Sequence, residues 1–254
     1  MKIFRYKQGK KICHGVLKEE NLFTLKGSIF KQFQIEQKGI PISRLALLPP
    51  VEPTKIVAVG VNYKNHALER GRILPEEPLI FLKPSSAIIG PSDIIIFPKM
   101  AKRVDYEGEL ALIIKKEAHL LDDSDRAEDY ILGYTCFNDV TARDLQEKDG
   151  QFTRAKSFDT FASVGPCIST DVDPSNLRLK TFLNGKLKQS ANTRNLIFPV
   201  PFLVRFISRI MTLNPGDIIT TGTPAGIGPM QPGDRVDVQI EGIGTLSNTV
   251  MKIK

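Results

Sequence analysis

Along the first 27 residues apolar positions gather in three short runs, "KIFRYKQ", "KICHGVLK" and "NLFTLKG", separated by polar or Gly-containing turns. These read as short strands. Residues 45 to 55, "LALLPPVEPTK", then carry three prolines and read as a link between domains. The expected organisation is a small N-terminal domain over residues 1–52 and a larger one over residues 53–254. "KIVAVGV" (55 to 61) is continuously apolar and predicts a buried strand. The next segment, "NYKNHALERG", predicts a short helix over 62–70, opened by Asn62 and ended by Gly71. Further helices are expected at about 124–130, 140–148 and 199–210. Pro-containing turns precede apolar runs at "GPSDIIIF", "NPGDIITTG" and "QPGDRVDVQI". Helices do not alternate regularly with strands, so the pattern predicts a β-rich α+β fold with mixed or antiparallel sheets, not a doubly wound one.

One stretch breaks the apolar logic. "RVDYEGELALIIKK" (103 to 116) reads as a single strand through the core, with Tyr106, Leu110, Leu112 and Ile114 on one face. Asp105, Glu107 and Glu109 fall together on the other, where buried like charges repel. A divalent cation would cancel that charge, and carboxylate oxygens suit Mg²⁺, Mn²⁺ or Ca²⁺ better than zinc. Asp139, in "GYTCFNDVTARDLQ", offers a third acid where a strand passes into a helix. Arg143 and Gln146, four and seven residues on, would share its helical face. The bland alternative is a solvent-facing E-x-E pair on an edge strand, with Asp105 exposed or salt-bridged.

Composition narrows the class. The chain has 254 residues, is 41% hydrophobic and carries a net charge of +7. Residues 1–52 hold ten Lys or Arg against four Glu, a net +6, leaving +1 for the remainder. A basic appendage admits a nucleic-acid-binding protein, yet its lysines are scattered and Trp is absent, which suits a solvated face. No apolar run reaches the ~20 residues of a membrane span. "MKIFRYKQGKK" lacks a following apolar segment, so a secretory signal is not expected and a cytoplasmic protein is. Cys13, Cys136 and Cys167 form no CxxC and support neither a disulfide framework nor a zinc site.

Other candidate groups are sparser. His66 and Glu69 lie three apart on the predicted helix, where a carboxylate beside an imidazole suits a general base or an ordinary surface ion pair. Lys156 stands in "RAKSFD", where it either meets substrate or balances nearby acids. "TTGTPAGIGP" (220 to 229) lacks the phosphate-loop pattern and reads as a glycine-rich turn.

"DYEGEL", "GYTCFNDVTARDLQ", "FTRAKSFDTFASVGP" and "TGTPAGIGP", in this order and spacing, resemble the fumarylacetoacetate hydrolase family. The likeness is to its small acylpyruvate hydrolase, oxaloacetate decarboxylase and 2-hydroxyhepta-2,4-diene-1,7-dioate isomerase members. It covers about residues 54–254, and the first 50 resemble the family's small N-terminal domain less specifically. The resemblance implies a mixed β-roll catalytic domain, usually a homodimer, that holds Mg²⁺ or Mn²⁺ on Glu107, Glu109 and Asp139. It implies a His66–Glu69 dyad that activates water and Lys156 facing the substrate. Arg143 would orient the acids or serve as a structural ion-pair partner. Gln146, Gly222 and Thr223 would lie on the substrate's path, with Thr223 donating its hydroxyl to a substrate carboxylate. The activity expected first is hydrolysis of a C–C bond in an acylpyruvate or fumarylacetoacetate-like 2-oxo or β-diketo acid, through a metal-held enolate. Isomerisation, tautomerisation and oxaloacetate decarboxylation use the same electron sink. The distal end of the substrate would be chosen by a lid at about 67–79, including Arg70 and Arg72, or by the N-terminal domain. Nucleic-acid and membrane partners are not implied.

Overall fold

The computed structural model describes residues 1–65 and 74–252. The chain opens with an antiparallel meander of β1 (Lys2–Gln8), β2 (Lys11–Lys18), β3 (Asn21–Gly27) and β4 (Phe33–Pro41). The first three coincide with the three runs read as short strands. The proline-rich link is more structured than its composition implies, because β5 (Ala46–Leu48) folds back onto β1. The same edge of β1, opposite β2, pairs with β14 (Ala162–Ser169) through Lys2 and Ile3, so the meander extends a sheet that belongs to the rest of the chain.

That sheet is twelve-stranded and mixed. Beyond β14 it continues through β12 (Ile131–Asp139), β11 (Gly108–Ile114), β17 (Ile218–Thr220), β6 (Ile56–Gly60) and β7 (Leu79–Lys83), while β8 (Ile88–Ile89) joins β14. A second, five-stranded sheet runs through β16 (Lys186–Asn192), β15 (Arg178–Leu183), β19 (Arg235–Ile240), β20 (Gly244–Lys252) and β9 (Ile94–Phe97). A third joins β13 (Thr141–Ala142), β10 (Val104–Tyr106) and β18 (Gly228–Met230). Helices are few among the described residues, 15% of which are helical against 48% in strands. Residues 127–130 form a 3₁₀ turn. The α-helices bounded within the described residues are α1 (Arg143–Asp149), ended by Gly150 in the left-handed region, the short α2 (Thr153–Lys156), and α3 (Val200–Ile210). On α3 the buried Val200, Leu203, Val204 and Ile207 recur at helical spacing and pack into the main core. None of the helices among the described residues is long and apolar enough to cross a membrane.

The acidic stretch is not the single strand its sequence suggests. β10 and β11 belong to different sheets, and the chain breaks between them at Glu107. Gly108 makes the turn possible, because a Cβ there would lie 2.1 Å from Thr181 Oγ1 on β15. Glu107 keeps its backbone bonded by other means: its N–H donates to Asn138 Oδ1 at 2.9 Å and its carbonyl accepts from Asp139 N at 2.9 Å. β11 then runs through the interior with both faces covered. Leu110, Leu112 and Ile114 pack in one core cluster and Ala111 and Ile113 in another, which explains the unbroken "LALII".

The parallel pair β6/β17 is pinned at its start by Asp217. This buried carboxylate accepts from Thr54 N at 3.0 Å, Thr54 Oγ1 at 2.7 Å, Lys55 N at 3.1 Å, Asn214 N at 2.8 Å and Lys55 Nζ at 2.5 Å. Burial opposes its charge, but Lys55 and the Thr54 donors outweigh burial and hold its pKa below the usual carboxylate value. A depressed carboxylate stabilises the fold above its ordinary pKa, and that stability disappears as pH falls through the folded value. Asp217→Asn should therefore cost about 2 kcal/mol at pH 7. In urea melts the gap from wild type should narrow below about pH 4.

Candidate active site

The break at Glu107 gathers the acids that the sequence singled out. Glu107 sits in the break, Glu109 follows on β11, and Asp139 ends β12 beside them, since Gly108 pairs with Asn138 and Glu109 with Phe137. One carboxylate oxygen from each lies within 4.8 Å of the others, and all three residues are buried. Asp139 itself is the last residue of a strand. It shares no helical face with Arg143 and Gln146, because β13 intervenes before α1 begins.

Cations line the other sides of the cluster. Lys156, at the end of α2, donates to Glu107 Oε2 at 2.8 Å and Asp139 Oδ2 at 2.5 Å. Lys83, at the end of β7, donates to Asp139 Oδ1 at 2.6 Å and Val140 O at 3.3 Å. Arg143 donates to Glu107 Oε1 and Gln146 Oε1, and through Nε to Asp105 Oδ2 at 2.9 Å. Asp105 is fully buried and salt-bridged, not exposed; Arg103 completes its shell at 2.8 and 3.1 Å.

These contacts divide the acids. Burial works against the charge on Glu107, yet Lys156 and Arg143 outweigh it and hold the carboxyl well below its usual range. Glu109 goes the other way: burial, then the charges of Asp139 and Glu107, raise it well above the usual value. Its Oε2 accepts from Gly222 N at 2.9 Å, and among the described residues no cationic side chain hydrogen-bonds to it. Burial also pushes Lys83 down, against the pull of Asp139, whereas Asp139 and Glu107 more than offset burial at Lys156 and raise it. Three converging carboxylates, one without a cationic partner, form a hard oxygen donor set that fits a divalent metal ion.

The remaining predicted residues fall around the same cleft. Gln146, Arg143 and Thr223 line it with Phe81 and Phe152, whose rings meet edge-on at 5.1 Å. Lys156 Nζ lies 5.2 Å from the Phe81 ring centre. Gly222 has φ +89°, and a Cβ there would crowd Val59 O at 3.0 Å. The Thr223 hydroxyl, assigned from sequence to a substrate carboxylate, donates here to Gly108 O at 3.0 Å and accepts from Gln189 Nε2 at 2.8 Å. His66, Glu69, Arg70 and Arg72 lie outside the described residues. A roomier cavity of about 660 Å³, walled by Ile131, Tyr134, Val172 and Leu196, lies away from the acids and holds none of the predicted groups.

The fumarylacetoacetate (FAA) hydrolase C-terminal family matches residues 55–251. The chain belongs to that family. A second family, described as Rv2993c-like, N-terminal, matches residues 1–50. The solved 5-carboxymethyl-2-hydroxymuconate delta-isomerase of Mycobacterium smegmatis is 40% identical with a TM-score of 0.93, over 100% of both chains. The 2-hydroxyhepta-2,4-diene-1,7-dioate isomerase of Mycobacterium marinum is 42% identical with a TM-score of 0.92, over 99% of this chain and 98% of that one. Oxaloacetate tautomerase fahd2 of Xenopus laevis is 42% identical over 82% of this chain and 69% of its own. Fumarylacetoacetate hydrolase family enzymes are generally divalent-metal-dependent, in keeping with the acid triad.

Sequence reasoning missed Lys83. In "LIFLKP" it reads as the exposed end of a strand, yet it is fully buried. A signal was present in period two, since Lys83 and the cleft residue Phe81 share a face of β7. Finding its partner needed the pairing of β6 with β7.

In the family fold, Glu109→Gln should remove one of three crowded like charges without emptying a packed volume. The metal-free variant should melt about 2–4 °C above wild type. Added Mn²⁺ should raise the melting temperature of wild type and leave that of the variant unchanged, read by calorimetry.

Proposed function

We propose that this fumarylacetoacetate hydrolase family member is a metal-dependent enzyme on small 2-oxo acids. It would work first as an isomerase or tautomerase that moves a proton beside the 2-oxo carbonyl. The observation that carries this reading is Lys156, whose ammonium bridges Glu107 and Asp139 in the cleft that Phe81 and Phe152 wall. An ammonium fixed there stabilises negative charge as it develops on a substrate oxygen. Arg143 holds Glu107 and Gln146 in place, and Asp105 holds Arg143. Gly222 lets the chain come close to Glu109. The apolar faces of Phe81 and Phe152 keep the carbon chain beside the acids partly dry, which strengthens these charges. Glu107, Glu109 and Asp139 would hold Mg²⁺ or Mn²⁺, which when bound supplies Lewis-acid polarisation of the 2-oxo carbonyl.

The sequence pattern put C–C hydrolysis first. The names of the isomerases and the tautomerase that resemble this chain at 40–42% identity support the reverse order. Hydrolysis stands as the second reading, favoured by His66 and Glu69, whose spacing suits a base acting on water. Both begin with the same charge development, so the two readings part only at the water.

Keto–enol conversion of oxaloacetate and cleavage of acetylpyruvate, each followed by absorbance, would test this. Both should stop on chelation and return with Mg²⁺ or Mn²⁺. Lys156→Met should lower kcat at least about 100-fold. His66→Ala should abolish acetylpyruvate cleavage alone. Cleavage of acetylpyruvate with no acceleration of oxaloacetate tautomerisation would instead make hydrolysis the primary activity.

A further inference from the structure

Lys83 reaches the acidic cluster from behind. It is fully buried and not part of the cleft wall, and its Nζ is spent on Asp139 Oδ1 at 2.6 Å and Val140 O at 3.3 Å. Nothing in the hydrophobic pattern of β7 requires a charge at this position. Burying an ammonium is costly, and a well-packed apolar residue would serve stability as well or better. The charge has a consequence for the site. Among the described residues, Lys83, Arg143 and Lys156 pair with Glu107 and Asp139, and Asp105 is met by Arg103 and Arg143. Glu109 stands beside them, so that by formal charge four acids meet four cations. The cluster is thus close to neutral on its own side chains.

We propose that Lys83 sets this balance, so that a divalent cation binds the acids weakly by itself and tightly together with a dianionic ligand. Three bare carboxylates would attract a doubly charged ion without help. Three positive charges held in contact with them oppose it, and inside a protein that opposition is strong. Two of the three cations are fixed in place. Lys83 is enclosed, and Arg143 is clamped by Asp105 and Glu107. Arg143 and Lys156 both line the cleft, but Arg143 is also tied to Asp105 outside the triad. Lys156 is held by Glu107 and Asp139, so it is the cation whose charge an incoming anion can take up. Net positive charge brought in by the metal is then offset only by negative charge on a second ligand. Lys83 acts through Asp139 without touching that ligand, which makes it a positioning and charge-setting residue. By linkage, the anion must gain from the metal the same factor that the metal gains from the anion.

The inference rests on the assignment of Glu107, Glu109 and Asp139 as metal ligands, and the experiment separates the two. Mn²⁺ is titrated calorimetrically into wild type, Lys83→Gln and Lys83→Met, alone and with saturating oxalate (a dianion) or pyruvate (a monoanion). Lys83→Gln keeps a donor for Asp139 and removes only the charge. In wild type, oxalate should tighten Mn²⁺ binding at least about tenfold and pyruvate less than about threefold, with oxalate gaining reciprocally. Both variants should bind Mn²⁺ alone at least about tenfold more tightly than wild type, about 1.4 kcal/mol, and lose a similar factor of the coupling. If Lys83→Met does not fold by circular dichroism, Lys83→Gln decides. Wild-type Mn²⁺ affinity and coupling in Lys83→Gln would overturn the inference, as would weaker Mn²⁺ binding in it. Equal Mn²⁺ binding by wild type with and without oxalate would overturn the coupling and leave the ligand assignment standing. No Mn²⁺ binding under either condition would overturn both.

Discussion

Like charges confined within a few ångströms of one another inside a protein must be neutralised before the chain can close around them. Glu107, Glu109 and Asp139 impose that condition here, and much of the surrounding architecture answers it. The chain leaves one sheet at Tyr106 and enters another at Gly108, which sets Glu107 between them. β12 stops at Asp139, while α1, α2 and β7 bring Arg143, Lys156 and Lys83 from three directions. Asp139 is shared by Lys83 and Lys156 and Glu107 by Lys156 and Arg143, each cation taking a different carboxylate oxygen. Among the described residues Glu109 has no cationic hydrogen-bond partner, so it is the acid of the cluster best suited to meet an added cation.

Much of this was legible in the sequence, and the physical reason differs from element to element. β1, β2 and β3 were marked out by the polar and Gly-containing turns between them, not by alternating burial, since Ile3, Phe4, Arg5 and Tyr6 of β1 are buried in succession. α3 shows its apolar stripe just as plainly. The acids stood out because three carboxylates in an apolar run have no local explanation, and the motif order then tied them to Asp139, Arg143, Gln146 and Lys156. Resemblance and physics pointed to the same residues independently.

What the sequence concealed depends on contacts between segments far apart in the chain. The interruption at Glu107 follows from Thr181 Oγ1, which leaves no room for a side chain at position 108. Period two, continued through that point, placed Asp105 on one face with Glu107 and Glu109. Asp105 instead lies in the small β10 sheet and orients the site through Arg143. Lys83 was hidden for a similar reason, since a lysine before a proline at a strand's end looks solvated until β6 and β7 are paired. β5 escaped notice because prolines flank it, though its three residues still bond to β1.

The site and the stability of the fold draw on different groups, which bears on how freely the chemistry could change. The large apolar clusters lie along both faces of β11 and under α3, and the β6/β17 junction is secured separately by Asp217. The acids and their cations contribute little net stability, because burial costs each charge about what its partner returns. Replacing a member that is ion-paired, as Glu107, Asp139 and their cations are, leaves an unpaired charge, whereas Glu109 and matched changes in acid and cation are exempt from that cost. On the proposed reading, positions that would receive the substrate's far end can therefore vary while the floor of acids and cations stays in place. Such a floor would stabilise charge on a 2-oxo acid whether water or only a proton follows, and so would accommodate both isomerisation and hydrolysis. What would distinguish them on this scaffold is the placement of one base, not the architecture that holds the acids.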